Sequence, residues 1–291
     1  MKLLFLKFTL KILFSANIRN GVFLNMKISV ITSYTNPEDR CDPWKEALSC
    51  YESFSDEIIN VGTNWEYEFS WTYFNKIFQN GLEQASGDWV FRMDVDYFFH
   101  ESDIDRIKVV LSENSHAKGI VFPQRQFYTP DRYSIKTKIC LAINKKAFPD
   151  IKLNGGTDMF LPTYKGVLLN SENSYFCNIP LWQYDGVFRT KEIIAEDRAR
   201  FARAWERYSG TYFPRGGPDP ESAYAAWLED VRKKHRNHIF KSNIKDHPVY
   251  IRNKLSNLEN NQFGYDMFGY KKNTKRTPVD YLRNYKLKLS L

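Results

Sequence analysis

"GDWVFRMDVDYFFHESD", Gly87 to Asp103, decides the fold. The stretch is apolar up to Met93 and then sets Asp94 and Asp96 one residue apart. Acids at i and i+2 on extended backbone share one side. Two of them at the end of a buried strand make sense where that end faces a ligand, so the flanking elements matter. Upstream, "KISVITSY" (Lys27–Tyr34) is short and β-branched and reads as a buried first strand. "DPWKEALSCYESF" (Asp42–Phe54) predicts a helix capped by Asp42, with Pro43 at its first position. "DEIINVG" (Asp56–Gly62) is a second strand, "SWTYFNKIFQNGLEQASG" (Ser70–Gly87) a second helix stopped by Gly87, and "DWVFRMD" a third strand. This alternation implies a parallel, right-handed βαβαβ arrangement. Ligands of such sheets bind beyond the carboxyl ends of the strands. Residues 34–36, 62–64 and 94–96 all fall at those ends.

Downstream, "GIVFPQRQFY", "YSIKTKICLAIN" and "KGVLLN" read as an antiparallel extension of the sheet. Thr190–Gly210 is a helix capped by Thr190 and stopped by Gly210; Asp219–His235 is another, capped by Asp219 with Pro220 next. The expected architecture is α/β: a Rossmann-like, mostly parallel sheet flanked by helices, an antiparallel extension and a C-terminal helical tail. No internal repeat or Gly/Ser linker divides it. We expect an N-terminal basic apolar extension over 1–25, one catalytic domain over 26–240 and a basic tail over 241–291. The apolar run of the first segment is interrupted by Lys7 and Lys11 and is too short to span a bilayer.

The 291 residues carry a net charge of +8, much of it in the C-terminal "GYKKNTKRTPVDYLRNYKLKLSL". This balance points to phosphate-bearing ligands or an anionic membrane surface. Nucleic acid is not the expected partner. Cys41, Cys50, Cys140 and Cys177 form no CxxC pair, which argues against a zinc site and for a reducing compartment. The expected location is cytoplasmic, with peripheral contact at the membrane face.

At a strand end, Asp94 and Asp96 can converge on one hard cation, Mn²⁺ or Mg²⁺, shared with substrate phosphates. An EF-hand fails, because Phe99 stands where its loop needs Gly and Asp105 where it needs Glu. Taken together, "KISVITSY", "DEIINVG" and "FNKIFQNGLEQASGDWVFRMDVDYFF" resemble a family 2 type glycosyltransferase of the GT-A fold, over about residues 27–105 and more loosely to about 205. The resemblance implies a nucleotide-diphosphate sugar donor (UDP- or GDP-linked), a divalent metal and inversion at the anomeric carbon. It implies that Asp94 and Asp96 hold the diphosphate through the metal. It also implies that Thr32, Tyr34, Asn75, Lys76 and Arg92 face the donor. The acceptor would be a glycan or a lipid-linked saccharide.

Two departures stand out. The stretch after the second strand, "NVGTNWE", has no Asp for the base or ribose; Thr63, Asn64 or Glu66 substitutes, and Asn64 is the donor candidate. The family's His after the acceptor region is replaced by Gln183 in "LWQYDGVF", so His247 in "KDHPVY" becomes the candidate third metal ligand. An inverting transfer needs a base within reach of the acceptor hydroxyl. Asp158 in "NGGTDMF" ranks first, then Asp185; Asp197 sits in an "ED" pair on a charged helix and reads more readily as surface charge. Trp65, Trp182 and Tyr184 are either sugar-stacking or core rings. Arg125, Arg132 and Arg189 are candidate phosphate partners, and His100 and Glu101 either support the metal site or cap the next helix. A nucleotidyltransferase would need a Gly-rich basic loop after the first strand, and "SYTNPEDR" is not one. A non-catalytic binding module would leave the two acids unexplained.

Overall fold

The computed structural model describes residues 26–62, 68–156, 159–235, 237–258 and 277–289. In chain order its elements begin β1 (Ile28–Thr32), α1 (Trp44–Glu52), β2 (Glu57–Asn60), α2 (Trp71–Gln84), β3 (Trp89–Arg92) and β4 (Tyr97–Phe98). Helix α3 (Ile104–Glu113) leads into a long hairpin, β5 (Gly119–Thr129) and β6 (Arg132–Asn144). Then follow β7 (Lys152–Gly155), β8 (Leu161–Tyr164), β9 (Val167–Leu168), β10 (Tyr175–Phe176) and β11 (Leu181–Tyr184). The chain continues through α4 (Lys191–Ser209), α5 (Pro220–His235), β12 (Phe240–Lys241), α6 (Val249–Ser256) and α7 (Pro278–Leu289).

The main sheet runs β2-β1-β3-β6-β5-β11-β4, with β10 beside β5 and β12 beside β6. Strand β1 is parallel to both β2 and β3, as the alternation requires. The hairpin is the antiparallel extension: β6 pairs antiparallel with β3 and β5, and β11 returns parallel to β5. Strands β7, β8 and β9 form a separate antiparallel sheet.

Side chains alternate across β1 and β3 and so build two cores. Val30 and Phe91 pack with Tyr51 of α1 and with Phe99, Phe122 and Leu141. Ile31 and Val90 pack with Phe78 and Leu82 of α2 and with Val121 and Cys140. Helix α2 lies close to the sheet because Gly81 has no side chain: a Cβ there would stand 2.5 Å from Val61 Cγ1.

Three features differ from the sequence expectation. Helix α1 begins at Trp44 after Pro43 with no side-chain cap, because the Asp42 carboxylate is drawn away by Arg40 and Arg189. Chain beyond residue 240, assigned to a tail by its charge, enters the core: β12 pairs with β6, His247 is fully buried, and Ile251 and Leu255 join the main cluster. Finally, α4 is no surface helix. It is capped as expected, with Thr190 Oγ1 accepting from the Ile193 N–H and Gly210 left-handed at φ 75°. From there it crosses the carboxyl edge of the sheet. Arg203 and Arg207 pair with Glu68 ahead of α2, and Phe201 and Trp205 pack on Phe69 and Trp71. Among the described residues no helix is long and apolar enough to cross a membrane.

Candidate functional site

Under α4, at the carboxyl edge of β1, β3 and β11, lies a cleft of about 350 Å³. Its lining includes Ser33, Tyr34 and Thr35 after β1, Asp94 and Asp96 after β3, and Gln183 on β11. This is the edge where a parallel sheet takes its ligands. Thr35 Oγ1 donates to the Gly62 carbonyl, which ties the ends of β1 and β2 together.

Strand β3 ends at Arg92, so the two acids stand in a turn just beyond it, with the Tyr97 N–H donating to the Asp94 carbonyl at 2.8 Å. The Tyr51 hydroxyl, in the core, donates to that same carbonyl at 2.6 Å. Asp94 Oδ1 accepts from Arg92 Nη1 at 2.8 Å. Arg92 is only 1% exposed and packs against Phe160, Phe78 and Tyr97, 4.4, 5.7 and 5.7 Å from the ring centres. Burial is the largest single effect and works against its charge, yet Asp94 and Tyr97 together offset it and the pKa is raised. Arg92 therefore holds Asp94 from beneath and does not itself reach a ligand. Asp96 is half-buried; burial, Asp94 and Asp185 push its pKa up to about 7. Its Oδ2 lies 3.5 Å from Gln183 Nε2, and Lys136 Nζ stands 3.4 Å from Gln183 Oε1.

The rest of the lining is partly aromatic, with Phe69, Trp71, Phe74, Phe160 and Phe201, and partly ionic: Arg40, Arg189, Arg198, Arg200 and Lys136 face Asp42 and Asp197 as well as the two turn acids. Asp197 is the hub, with Arg40 at 2.8 Å, Arg189 at 3.2 Å and Arg200 at 2.6 Å. Burial opposes its charge, but the surrounding arginines prevail and hold the carboxyl well below the usual range. The Arg200 pKa is lowered, by burial and by the crowding of Arg40 and Arg189, although Asp197 opposes this. With Asp185 at the border, 3.9 Å from Arg198, five carboxylates face these five cations, and Arg40, Arg189 and Arg200 are each paired with Asp42 or Asp197.

No protein-family model matches this chain, and no curated protein matches it. Among solved structures the chain is similar to residues 1–349 of TarS from S. aureus, with a TM-score of 0.33 and 14% identity over 62% of this chain and 66% of that one. The same fragment in complex with UDP-GlcNAc gives 0.32 at 13% identity, over 62% and 67%. A glycosyltransferase involved in the glycosylation of the major capsid of PBCV-1 gives 0.27 at 14%, over 42% and 61%. This chain spans 40% of a longer TarS chain. At these scores the likeness carries no argument about the chemistry of the cleft.

The cleft brings together Tyr34, Asp94, Asp96, Gln183, Arg189 and Asp197 of the residues singled out from sequence. Thr32 is buried inside β1. Asn75 and Lys76 lie on α2 outside the lining, and Lys76 is exposed. Asp185 borders the cleft, near enough to raise the Asp96 pKa, and accepts from Gln126 Nε2 at 3.1 Å. Asp158, Asn64 and Trp65 lie outside the described residues. His247 is not placed to bind metal: its Nδ1 meets the Tyr184 hydroxyl at 2.8 Å and its Nε2 the Pro130 carbonyl at 2.9 Å. Trp182 and Tyr184 are buried core rings. His100 Nδ1 accepts from the Ser102 N–H at the helix start, and Glu101 accepts from the Val249 N–H and Arg252. Among the described residues no cluster of three or more His, Cys, Asp or Glu could hold a metal ion. Sequence reasoning missed Arg40, Asp42, Lys136 and Arg200. Asp42 and Arg189 are 147 positions apart, and no local pattern announces such a pair.

Proposed function

We propose that the chain is a metal-dependent glycosyltransferase of the family 2 type, moving a sugar from a nucleotide-diphosphate donor to an acceptor hydroxyl with inversion. The observation that carries this reading is the acid turn Asp94–Asp96 facing a cation-rich cleft at the carboxyl edge of a parallel sheet. The residues present fit a divalent ion. Asp94 keeps Oδ2 free once Oδ1 is bound to Arg92, Asp96 supplies a second carboxylate, and Mg²⁺ or Mn²⁺ commonly completes its shell with diphosphate oxygens and water. When bound, the ion neutralises charge that builds on the departing diphosphate. Arg40, Arg189, Arg198, Arg200 and Lys136 provide fixed positive charge for the same anion. Tyr34, stacked on Trp44 at 5.4 Å, offers a ring edge for the nucleoside.

In the transfer, the acceptor oxygen attacks the anomeric carbon, its proton passes to a carboxylate, and the bond to the diphosphate breaks with its electron pair leaving on the nucleotide. Asp185 is the base this geometry favours. Asp197 is saturated by arginines and too weakly basic. The acceptor, a glycan or lipid-linked saccharide, belongs to the same reading. So does peripheral membrane contact, which Val279, Tyr281, Leu282 and Tyr285 support by lying exposed along α7.

The test is a thermal-shift screen of UDP, GDP, CDP and TDP with Mn²⁺ and Mg²⁺. A ligand at a hundred times its Kd adds about 2.7 kcal/mol, which raises the melting point by several degrees. A flat response to every nucleotide overturns the reading. Asp96→Asn should keep the fold and lose donor hydrolysis.

A further inference from the structure

A second cavity, of about 680 Å³, lies on the other face of the sheet. Adjacent residues of a strand point to opposite faces, and two paired rows of β5 and β11 show the division. Gln126 and Gln183 sit opposite one another and serve the cleft, through Asp185 and Asp96. Their neighbours Arg125 and Trp182, also paired, line the second cavity. Ile135 and Lys136 on β6 divide the same way.

Arg125 is the unusual group. It is half-buried, with its guanidinium 4.8 Å from the Trp182 ring centre and 5.1 Å from that of Tyr133. Among the described residues it makes no ion pair and no hydrogen bond. Ring contact fixes a guanidinium and leaves its fork of N–H donors to be satisfied from the edge. The acids nearby are committed elsewhere: Asp103 to Arg106 at 2.6 Å, and Asp246 to the N–H and side chain of Asn243. Lys245, exposed on the rim, is a second cation, and Asn178 adds an exposed amide. Phe240 and Tyr133, stacked at 5.3 Å, supply flat apolar wall, and His100 adds an imidazole to the lining.

We propose that this cavity is a binding site for a sugar bearing an oxyanion, a carboxylate or a phosphate. Arg125 takes the anion in bidentate fashion, Lys245 adds charge at the rim, and the rings take the sugar face. The site is separated from the cleft by the thickness of the sheet, so its occupancy does not depend on the transferase reading.

Saturation-transfer NMR on the full chain, with glucose 6-phosphate, glucuronate, glucose and inorganic phosphate as probes, tests this. Both charged sugars should bind, and glucose and phosphate alone should bind at least about tenfold more weakly. Arg125→Gln should weaken both charged sugars by a similar factor, with Arg125→Lys restoring part of the loss. Lys245→Gln alters an exposed side chain, leaves the fold intact, and should weaken binding severalfold. Asp96→Asn, which disables the cleft, should change nothing. The proposal is overturned if no charged sugar binds, if glucose or phosphate binds as tightly as they do, if Lys245→Gln and a folded Arg125→Gln leave binding unchanged, or if UDP displaces the sugars.

Discussion

Asp94 and Asp96 are legible in the sequence because everything that places them lies within a few residues: an apolar strand, then a turn. Arg92 is harder, since its position in a fully buried strand looks wrong for a charge until Asp94 and three rings are seen around it. Replacing it with Met keeps the volume and removes the partner. Asp94 is about a third exposed, so its lost ion pair should cost little stability. Mn²⁺-dependent donor binding should fall about tenfold, because Asp94 is no longer oriented; titration calorimetry of the variant checks this. His247 is misread from sequence for the opposite reason. A His-Pro pair in a basic segment gives no hint that its partners are the Tyr184 hydroxyl and the Pro130 carbonyl, 63 and 117 positions away. Burial lowers its pKa from 6.5 to about 4. The unfolded chain then binds the proton more readily than the native one, so stability is fully present above about pH 6.5 and falls as pH drops towards 4. The loss is on the order of 3 kcal/mol. Urea melts at pH 7 and pH 4.5 should differ accordingly, and less so in His247→Gln.

At the scale of elements, α4 shows what a pattern of caps can and cannot say. Thr190 and Gly210 mark its ends correctly from local chemistry. Which face is buried depends on loops far away in the chain, so the "ED" pair looks like surface charge when Asp197 is in fact 5% exposed. Asp197→Asn strips the buried hub from Arg40, Arg189 and Arg200 and leaves half-buried cations to repel one another. Such a break typically costs about 3–5 kcal/mol, visible as a melting point lower by roughly 10 °C. Glu68→Ala removes only half-exposed pairs with Arg203 and Arg207 and should cost no more than about 1 kcal/mol per pair. Comparing the two melts separates the buried clasp from the rim.

For the whole molecule, the order of β1, α1, β2, α2 and β3 follows from periodicity and turn residues, and their parallel pairing follows from the alternation. The hairpin β5–β6 is legible as antiparallel strands, but its place between β3 and β11 is not, because nothing local specifies which edge a strand joins. Residues 240–258 fail as a tail because a few apolar residues, Ile251 and Leu255 among them, outweigh many charges in deciding what is buried. The crossing of α4 over the sheet has a consequence in time as well as space. Synthesis runs from the N-terminus, and every strand that borders the cleft precedes α4 in the chain. A ribosome that has delivered β1 through β11 has therefore set out Asp94, Asp96, Arg40 and Lys136 without Arg189, Asp197, Arg198 and Arg200, and the cleft exists as a chemical environment only after α4 has emerged.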